Sequence, residues 1–370
     1  MKEPSEKDVR RIYPLRQIYF YLTSDCNLRC RHCWISPDFQ SATTSSAYLP
    51  VDLFKKIVSD AKGLGLTDVK LTGGEPLLHP QILDILEFIR SQGLSVNIET
   101  NGVLCTPEIA RAIASCKAYH VAVSLDGVNA ETHEWVRGVD GCFDDAVQGI
   151  KNLVEAGVRP QIIMTLMRRN QDQAEAMIDL AASLKASTVK FNIVMPTLRG
   201  EAMHAAGETL TIEELVELGS RMERTIAPGS PLPLNYGHPL AFRPLGNMFH
   251  NIGGGCAACG VLRILGVLAD GTYALCGIGE AIPELTYGNA HVDNVFDVWE
   301  NAPFLQELRA GLPGRLEGIC GDCIIKNLCL GSCIAQNYYR KGSLWAPFWF
   351  CEEARNSGIF PKSRLYQKNL

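Results

Sequence analysis

Gln17-Ile18-Tyr19-Phe20-Tyr21-Leu22-Thr23-Ser24-Asp25-Cys26-Asn27-Leu28-Arg29-Cys30-Arg31-His32-Cys33-Trp34 is an apolar run that opens into three closely spaced cysteines, CX3CX2C. The run reads as a strand, so the cysteines fall just beyond a strand end. Three thiolates so spaced can hold three irons of a cubane [4Fe–4S] cluster and leave the fourth iron open to another ligand. A zinc site, or chance spacing, is the plainer alternative.

Outward from this stretch, β-rich runs alternate with amphipathic helical ones. Strands are expected at Gln17–Thr23, Asp68–Thr72, Ser95–Thr100, His120–Leu125, Pro160–Leu166 and Val189–Met195. Helical patterns lie between them at Val51–Gly63, Gln81–Gln92, Glu108–Ser115, Phe143–Ala156 and Gln171–Leu184, with Gly63, Gly93 and Gly157 as C-terminal caps. Six βα repeats predict an α/β fold with a parallel sheet, open or curled into a barrel, whose active site lies at the C-terminal strand ends. Cys26, Gly73, Asn101 and Ser124 all fall on that rim.

The division expected is an N-terminal tail over 1–16, the βα unit over 17–200, a bridge over 201–252, and a cysteine-rich unit with C-terminal tail over 253–370. The bridge holds one acidic helix, Ile212–Thr225, and a Pro/Gly-rich stretch, Ala227–Pro244; Ser41–Ser46 is the one low-complexity tract. In the last unit Ile264–Leu268, Asp270-Gly271 and Tyr273–Leu275 read as a hairpin. That unit has little core of its own and is expected to depend on metal.

The 370 residues carry a net charge of -5 with no basic concentration, which argues against nucleic acid. No apolar run reaches membrane-span length and the start, MKEPSEKDVRR, is polar; a cytoplasmic protein without a membrane partner is expected. Fourteen cysteines, mostly clustered, then point to metal or redox work rather than disulfides.

Lys70-Leu71-Thr72-Gly73-Gly74-Glu75-Pro76 follows the second strand, and two glycines there let the backbone approach a ligand closely. With CX3CX2C one strand earlier, the chain resembles the radical S-adenosylmethionine (SAM) superfamily. The resemblance implies a partial (βα)6 TIM-like barrel in which Cys26, Cys30 and Cys33 bind a [4Fe–4S] cluster and the open iron takes SAM. Gly73, Gly74 and Glu75 would hold the SAM amino group, and His32 would pack near the adenine. Glu99-Thr100-Asn101-Gly102 resembles the segment near the SAM ribose. Val123-Ser124-Leu125-Asp126-Gly127 resembles a further family segment, which makes Ser124, with Arg137, the choice for the SAM carboxylate. An ion pair is the ordinary alternative for Arg137.

The C-terminal cysteines resemble the SPASM extension of the same superfamily. Cys259 and Cys276 stand in CX11GX4C; Cys320, Cys323, Cys329 and Cys333 stand in CX2CX5CX3C; Cys351 follows. The family's interleaved ligation would assign Cys256, Cys259, Cys276 and Cys333 to one auxiliary [4Fe–4S] cluster. Cys320, Cys323, Cys329 and Cys351 would hold the second, for three clusters in all. The close pair Cys256–Cys259 departs from some relatives, which puts Cys256 in question; a pair of zinc sites is the alternative. Cys105, Cys116 and Cys142 lack metal spacing and read as buried small hydrophobes, or as a thiol that gives a hydrogen atom to a substrate radical. Tyr19, Tyr21 and His79 can reach the barrel rim or interior, and the aromatic run Trp345–Phe350 is expected to cover the second auxiliary cluster.

The resemblance implies an enzyme in which an electron from an external flavodoxin- or ferredoxin-type donor cleaves SAM, and the 5′-deoxyadenosyl radical takes hydrogen from substrate. No residue is singled out as catalytic beyond the cofactor contacts. SPASM enzymes mostly modify peptides, so a ribosomally made precursor peptide is the leading substrate, with cross-linking, backbone excision or epimerisation as outcomes. The first strand starts near Gln17, so leader recognition falls to a separate partner or to strand addition at a sheet edge. The rivals are a haem or quinone cofactor biosynthesis enzyme, a sulfatase-type formylglycine maturase, and a non-catalytic electron-transfer protein. Formylglycine maturases place an aspartate directly after the GX4C cysteine, where this chain has Gly277.

Overall fold

The computed structural model of the chain describes residues 13–39, 47–244, 246 and 259–366. Cys256, the Ser41–Ser46 tract and most of the N-terminal tail lie outside the described residues.

Six parallel strands carry the fold: β1 (Gln17–Tyr21), β2 (Asp68–Thr72), β3 (Ser95–Thr100), β4 (Ala118–Ser124), β5 (Gln161–Leu166) and β6 (Thr188–Ile193). They match the six strands expected from the sequence, and each is followed by helical structure on the outer face. Alternation decides the two faces. Ile18, Phe20, Val69, Leu71, Val96 and Ile98 are buried against the helices. Tyr19, Lys70 and Glu99, from the alternate positions, turn inward. Helix Val51–Ala61 buries Phe54, Ile57, Val58 and Ala61, and the Phe54 ring lies 4.4 Å from that of Phe20. The helices supply the apolar core, so the concave interior of the sheet is free to be polar.

Two departures from the sequence reading bear on the site. The sheet does not end with six strands. β7 (Leu234–Tyr236), from the bridge, joins β6 in parallel, and β8 (Ile264–Val267), from the cysteine-rich unit, joins β1 in parallel. β8 then turns antiparallel into β9 (Thr272–Ala274) and on to β10 (Thr286–Asn289), so the expected hairpin is the end of a ten-stranded sheet. These added strands are three or four residues long, too short for a periodic signal. Secondly, a helix at Ala130–Arg137 escaped the periodicity. Its signals are its caps: Asn129 accepts from the Thr132 N–H at 3.0 Å, and Gly138 closes it at φ +72°. Gly93 caps its helix as expected, whereas after the first helix the left-handed residue is Gly65 (φ +96°), not Gly63, because a 3-10 turn over Lys62–Leu64 extends that helix.

Candidate active site

The loop after β1 is tied down from four sides. Gly74 N–H donates to Thr23 O (2.9 Å) and Glu75 N–H to Asp25 O (2.9 Å), from the rim of β2. Asn101, beyond β3, donates through Nδ2 to Asn27 Oδ1 at 2.7 Å. Arg29 and Arg31 N–H donate to Arg137 O and Val136 O, both at 2.9 Å, at the end of helix Ala130–Arg137. Arg199, after β6, donates to Cys30 O (3.4 Å) and Pro37 O (2.9 Å). Cys26, Cys30 and Cys33 are thereby brought to one wall of a cavity of about 430 Å³ at the C-terminal strand ends. His32, Gly73, Gly74, Glu75, Asn101, Ser124 and Arg137 line the same cavity, so every residue assigned to SAM from the sequence is gathered there.

The glycines act differently from the sequence expectation. A Cβ on Gly74 would overlap the Asp25 carbonyl, and one on Gly73 (φ +133°) would sit 2.7 Å from Thr23 O. Their lack of a side chain serves the close approach of the GGEP loop to the cysteine loop. Glu75 is 1% exposed, and its carboxylate accepts from Leu77 N–H (3.0 Å), Thr100 Oγ1 (2.7 Å) and Asn101 N–H (2.8 Å). Burial raises its pKa against the pull of those donors. It joins the rims of β2 and β3, so Glu75→Gln, which turns an NH2 group toward these donors, is expected to lower stability by about 1–3 kcal/mol, measurable by denaturant unfolding.

Arg137 is neither a surface ion pair nor a free fork. Its Nη2 meets Asp126 Oδ2 at 2.7 Å and its Nη1 donates to Cys30 Sγ at 3.4 Å, with the Asp126 side chain fully buried. Burial works against both charges, yet each outweighs the penalty on the other: Asp126 is held below the ordinary carboxylate range and Arg137 above its own. A SAM carboxylate would therefore share this guanidinium with Asp126. The sequence quoted Asp126 within the SLDG-like segment without giving it this task.

His32 and His133 flank the pair. Burial, with the positive charge of Arg137, lowers His32 to about 4 and His133 to about 3, against the pull of Asp126. His133 Nδ1 accepts the Asp126 N–H at 3.1 Å, which requires that nitrogen to be unprotonated. The unfolded chain takes up this proton near pH 6.5, the folded one only near pH 3. Stability is thus complete above pH 6.5 and is lost as pH falls from there toward 3. His133→Asn is expected to flatten the slope of unfolding free energy against pH between about 6 and 4.

As groups that could hold a cluster, the three thiols fit chemically. Cys26 and Cys30 are buried, and burial with mutual crowding pushes Cys26 and Cys33 upward, which a bound cationic metal group would reverse. Leu28 N–H (3.4 Å to Cys26 Sγ) and Arg137 already donate to the sulfurs. Farther along the chain, Cys320, Cys323, Cys329 and Cys351 line one small enclosed cavity, with Phe348 N–H 3.3 Å from Cys320 Sγ and Ile325 N–H 3.4 Å from Cys323 Sγ. Cys276 lies beside Cys333; burial and that neighbour push it up to about 12. Cys259 is half-buried, and Cys256 lies outside the described residues. The structure thus brings together Cys320, Cys323, Cys329 and Cys351, and sets Cys276 near Cys333.

The cysteine-rich unit reaches into the cavity. Cys333, Gln336, Phe348 and Trp349 line it, with Trp349 Nε1 donating to Gln336 Oε1 at 3.0 Å. Of the aromatic run, Phe348 and Trp349 wall this cavity; at the second thiol group the run contributes the Phe348 N–H, and the ring lining that smaller cavity is Phe360. Cys105, Cys116 and Cys142 are buried and are not among the lining residues; Cys142 packs behind Cys26, Leu28 and Cys30. His79 is occupied by Leu49 O at 2.9 Å. Tyr21 fills the space beside Gly277, where any Cβ would overlap its ring.

Residues 20–181 match the family model described as the Radical SAM superfamily. An AdoMet-dependent heme synthase of Methanosarcina barkeri is 31% identical over 344 residues, covering 88% of this chain and 93% of that protein. The chain belongs to the radical SAM superfamily. The mycofactocin maturase MftC of Mycobacterium tuberculosis is 29% identical over 353 residues, covering 93% of the chain and 84% of the relative. Streptococcus suis SuiB bound to its precursor peptide SuiA shares the fold, with a TM-score of 0.71 at 18% identity over 92% of this chain and 76% of that one. This radical SAM enzyme accordingly uses SAM and a [4Fe–4S] cluster, and its cysteine-rich C-terminus is consistent with a SPASM extension. No helix among the described residues is long and apolar enough to cross a membrane.

Proposed function

We propose that the chain is a radical SAM maturase of a ribosomally made peptide. The observation that carries this reading is the single cavity at the strand ends, lined by the CX3CX2C thiols on one side and by Cys333, Gln336, Phe348 and Trp349 of the C-terminal unit on the other. Cys26, Cys30 and Cys33 would hold the SAM-binding cluster, while Glu75, Asn101, Ser124 and Arg137 would orient SAM. With both bound, the cofactors supply a 5′-deoxyadenosyl radical able to take hydrogen from an unactivated carbon. The protein's own part is to orient, to exclude water and to keep the Asp126–Arg137 pair fixed behind Cys30. Two auxiliary clusters, on Cys256, Cys259, Cys276 and Cys333 and on Cys320, Cys323, Cys329 and Cys351, would carry electrons away from substrate. A separate leader-binding protein and a flavodoxin- or ferredoxin-type donor would complete the system.

Likeness to MftC along 93% of the chain supports the peptide reading. The 31% identity to a heme synthase favours a second reading, in which the substrate is a porphyrin. The formylglycine-maturase reading loses ground physically, since the Tyr21 ring leaves no room for an acidic side chain at position 277. Reduced, anaerobic protein with SAM is expected to release 5′-deoxyadenosine and to contain about twelve irons and twelve sulfides per chain. Mass spectrometry then separates the substrates: a mass change on a co-expressed short peptide supports the first reading, and a change on an added porphyrin carboxylate replaces it with the second.

A further inference from the structure

Leu198, in the loop after β6, stands at φ +50° and ψ −121°, a region that a residue with a Cβ rarely adopts. Gly200 N–H donates to Thr197 O at 3.0 Å, so these angles make Leu198 the second residue of a type II′ turn, a place that glycine ordinarily fills. The next residue of the turn is Arg199, whose guanidinium donates to Cys30 O at 3.4 Å and to Pro37 O at 2.9 Å. Those two carbonyls stand on either side of Cys33 in the chain. Burial and Cys30 push the Cys33 thiol up, and the Arg199 charge pulls against them. A strained turn thus presents a cation to the cysteine loop.

A leucine in that conformation persists only where its surroundings fix it. Two contacts do so here. Its side chain packs against the core, and its N–H donates to Tyr339 Oη at 3.3 Å. That tyrosine lies on the helix Ile334–Lys341 of the C-terminal unit, whose N-cap is Cys333, and its hydroxyl donates in turn to Glu201 Oε2 at 2.8 Å. Gln336, on the same face of the helix, donates through Nε2 toward Met195 Sδ at 2.6 Å. The helix therefore grips the segment 195–201 near both of its ends. A Cβ on Gly200 would overlap Met195 O, so the segment is already folded tightly on itself.

We infer that Tyr339 is a positioning residue: through its hydroxyl the C-terminal unit holds the strained turn that sets Arg199 against the cysteine loop. Without that hydroxyl Leu198 relaxes toward negative φ, and Arg199, its neighbour in the turn, leaves both carbonyls. The cysteine loop then loses the bonds that close its far side, and the cation beside it goes with them. A cation at that place favours the reduced, more negative form of a cluster, so its departure lowers the reduction potential. The inference rests on reading Cys26, Cys30 and Cys33 as the ligands of the SAM-binding cluster. It goes beyond that reading in making the geometry at the SAM site depend on a side chain of the C-terminal unit.

The test uses cluster-loaded full-length protein. SAM affinity is read by equilibrium dialysis, and the midpoint potential from the reduced-cluster EPR signal that responds to added SAM. Arg199→Met is expected to weaken SAM binding about tenfold or more and to lower the midpoint potential. Tyr339→Phe is expected to weaken SAM binding about three- to tenfold and to move the potential in the same direction. Adding Leu198→Gly to Tyr339→Phe is expected to return the affinity to within about twofold of wild type and to restore the potential, because a residue without a Cβ holds this turn unaided. A tyrosine that served stability alone would change the unfolding transition without moving the potential. Wild-type affinity and potential in Tyr339→Phe, or losses that Leu198→Gly leaves unrepaired, overturn the inference. Wild-type protein that shows no SAM-responsive signal and releases no 5′-deoxyadenosine sinks the underlying reading and the inference with it, whereas a responsive wild type with unmoved variants sinks the inference alone.

Discussion

Asp126→Asn is expected to lower the unfolding free energy by about 3–5 kcal/mol, more than any other single polar change in the barrel. The aspartate is fully buried and faces Arg137 at 2.7 Å, so asparagine leaves a guanidinium in the protein interior without its counter-charge. The same residue accepts the Thr165 N–H through Oδ1 at 2.7 Å, a contact asparagine can keep, which confines the loss to the charge. The pair Asp126→Asn with Arg137→Met is expected to be less damaging than Asp126→Asn alone, because removing both partners removes the uncompensated charge. By contrast Lys56→Ala, which breaks the half-exposed Lys56–Asp60 pair, is expected to cost under about 1 kcal/mol. Thermal and denaturant unfolding of the four chains side by side checks the ordering. A loss for Asp126→Asn no larger than that for Lys56→Ala would remove Asp126 from its place as organiser of the site.

The second large effect is on metal content. Replacing Cys26, Cys30 or Cys33 singly with alanine is expected to lower the iron content by about four per chain and to abolish release of 5′-deoxyadenosine. The three are equivalent in this respect because each sulfur has its own place in the loop and no fourth thiol lines that part of the cavity among the described residues. Cys116→Ser is the matched control. It lies in the core beyond Leu86, with its thiol donating toward Leu86 O at 3.9 Å, and is expected to leave iron and 5′-deoxyadenosine unchanged. Iron analysis with chromatographic quantitation of the nucleoside decides the comparison; retention of full iron by Cys30→Ala would contradict the assignment.

How far these residues could be read in advance depends on the range of the interaction that fixes them. The six strands were legible because alternation is local: Val69 and Leu71 against Lys70 report the two faces of β2 without knowledge of any neighbour. The meeting of Cys26, Cys30 and Cys33 on one cavity, and of Cys320, Cys323, Cys329 and Cys351 on another, was legible because family spacing encodes it. The purpose of Gly74 was not, since what forbids a side chain there is the Asp25 carbonyl, forty-nine residues earlier in the chain. Gly277 is the same case at longer range, fixed by a tyrosine in β1. Arg137 was read as a SAM contact and Asp126 was given no task, and only the fold sets them against each other behind Cys30.

The parallel pairing of Ile264–Val267 with Gln17–Tyr21 sets an order of assembly. At ribosomal speeds of about 5–20 residues per second, β1 waits roughly 10–50 s for the strand that closes its free edge. During that interval the nascent barrel presents an unpaired strand bearing Ile18 and Phe20, with the cysteine loop attached to its end. The ladder can form on one side only, against Asp68–Thr72, until the last third of the chain emerges. Chains arrested before that point should therefore be the ones that aggregate or recruit chaperones, and completion of this ladder is the step at which a synthesis-coupled assay should first detect a protected amide on Tyr19, whose N–H shares the side of the strand from which Gln17 N–H donates to Arg263 O.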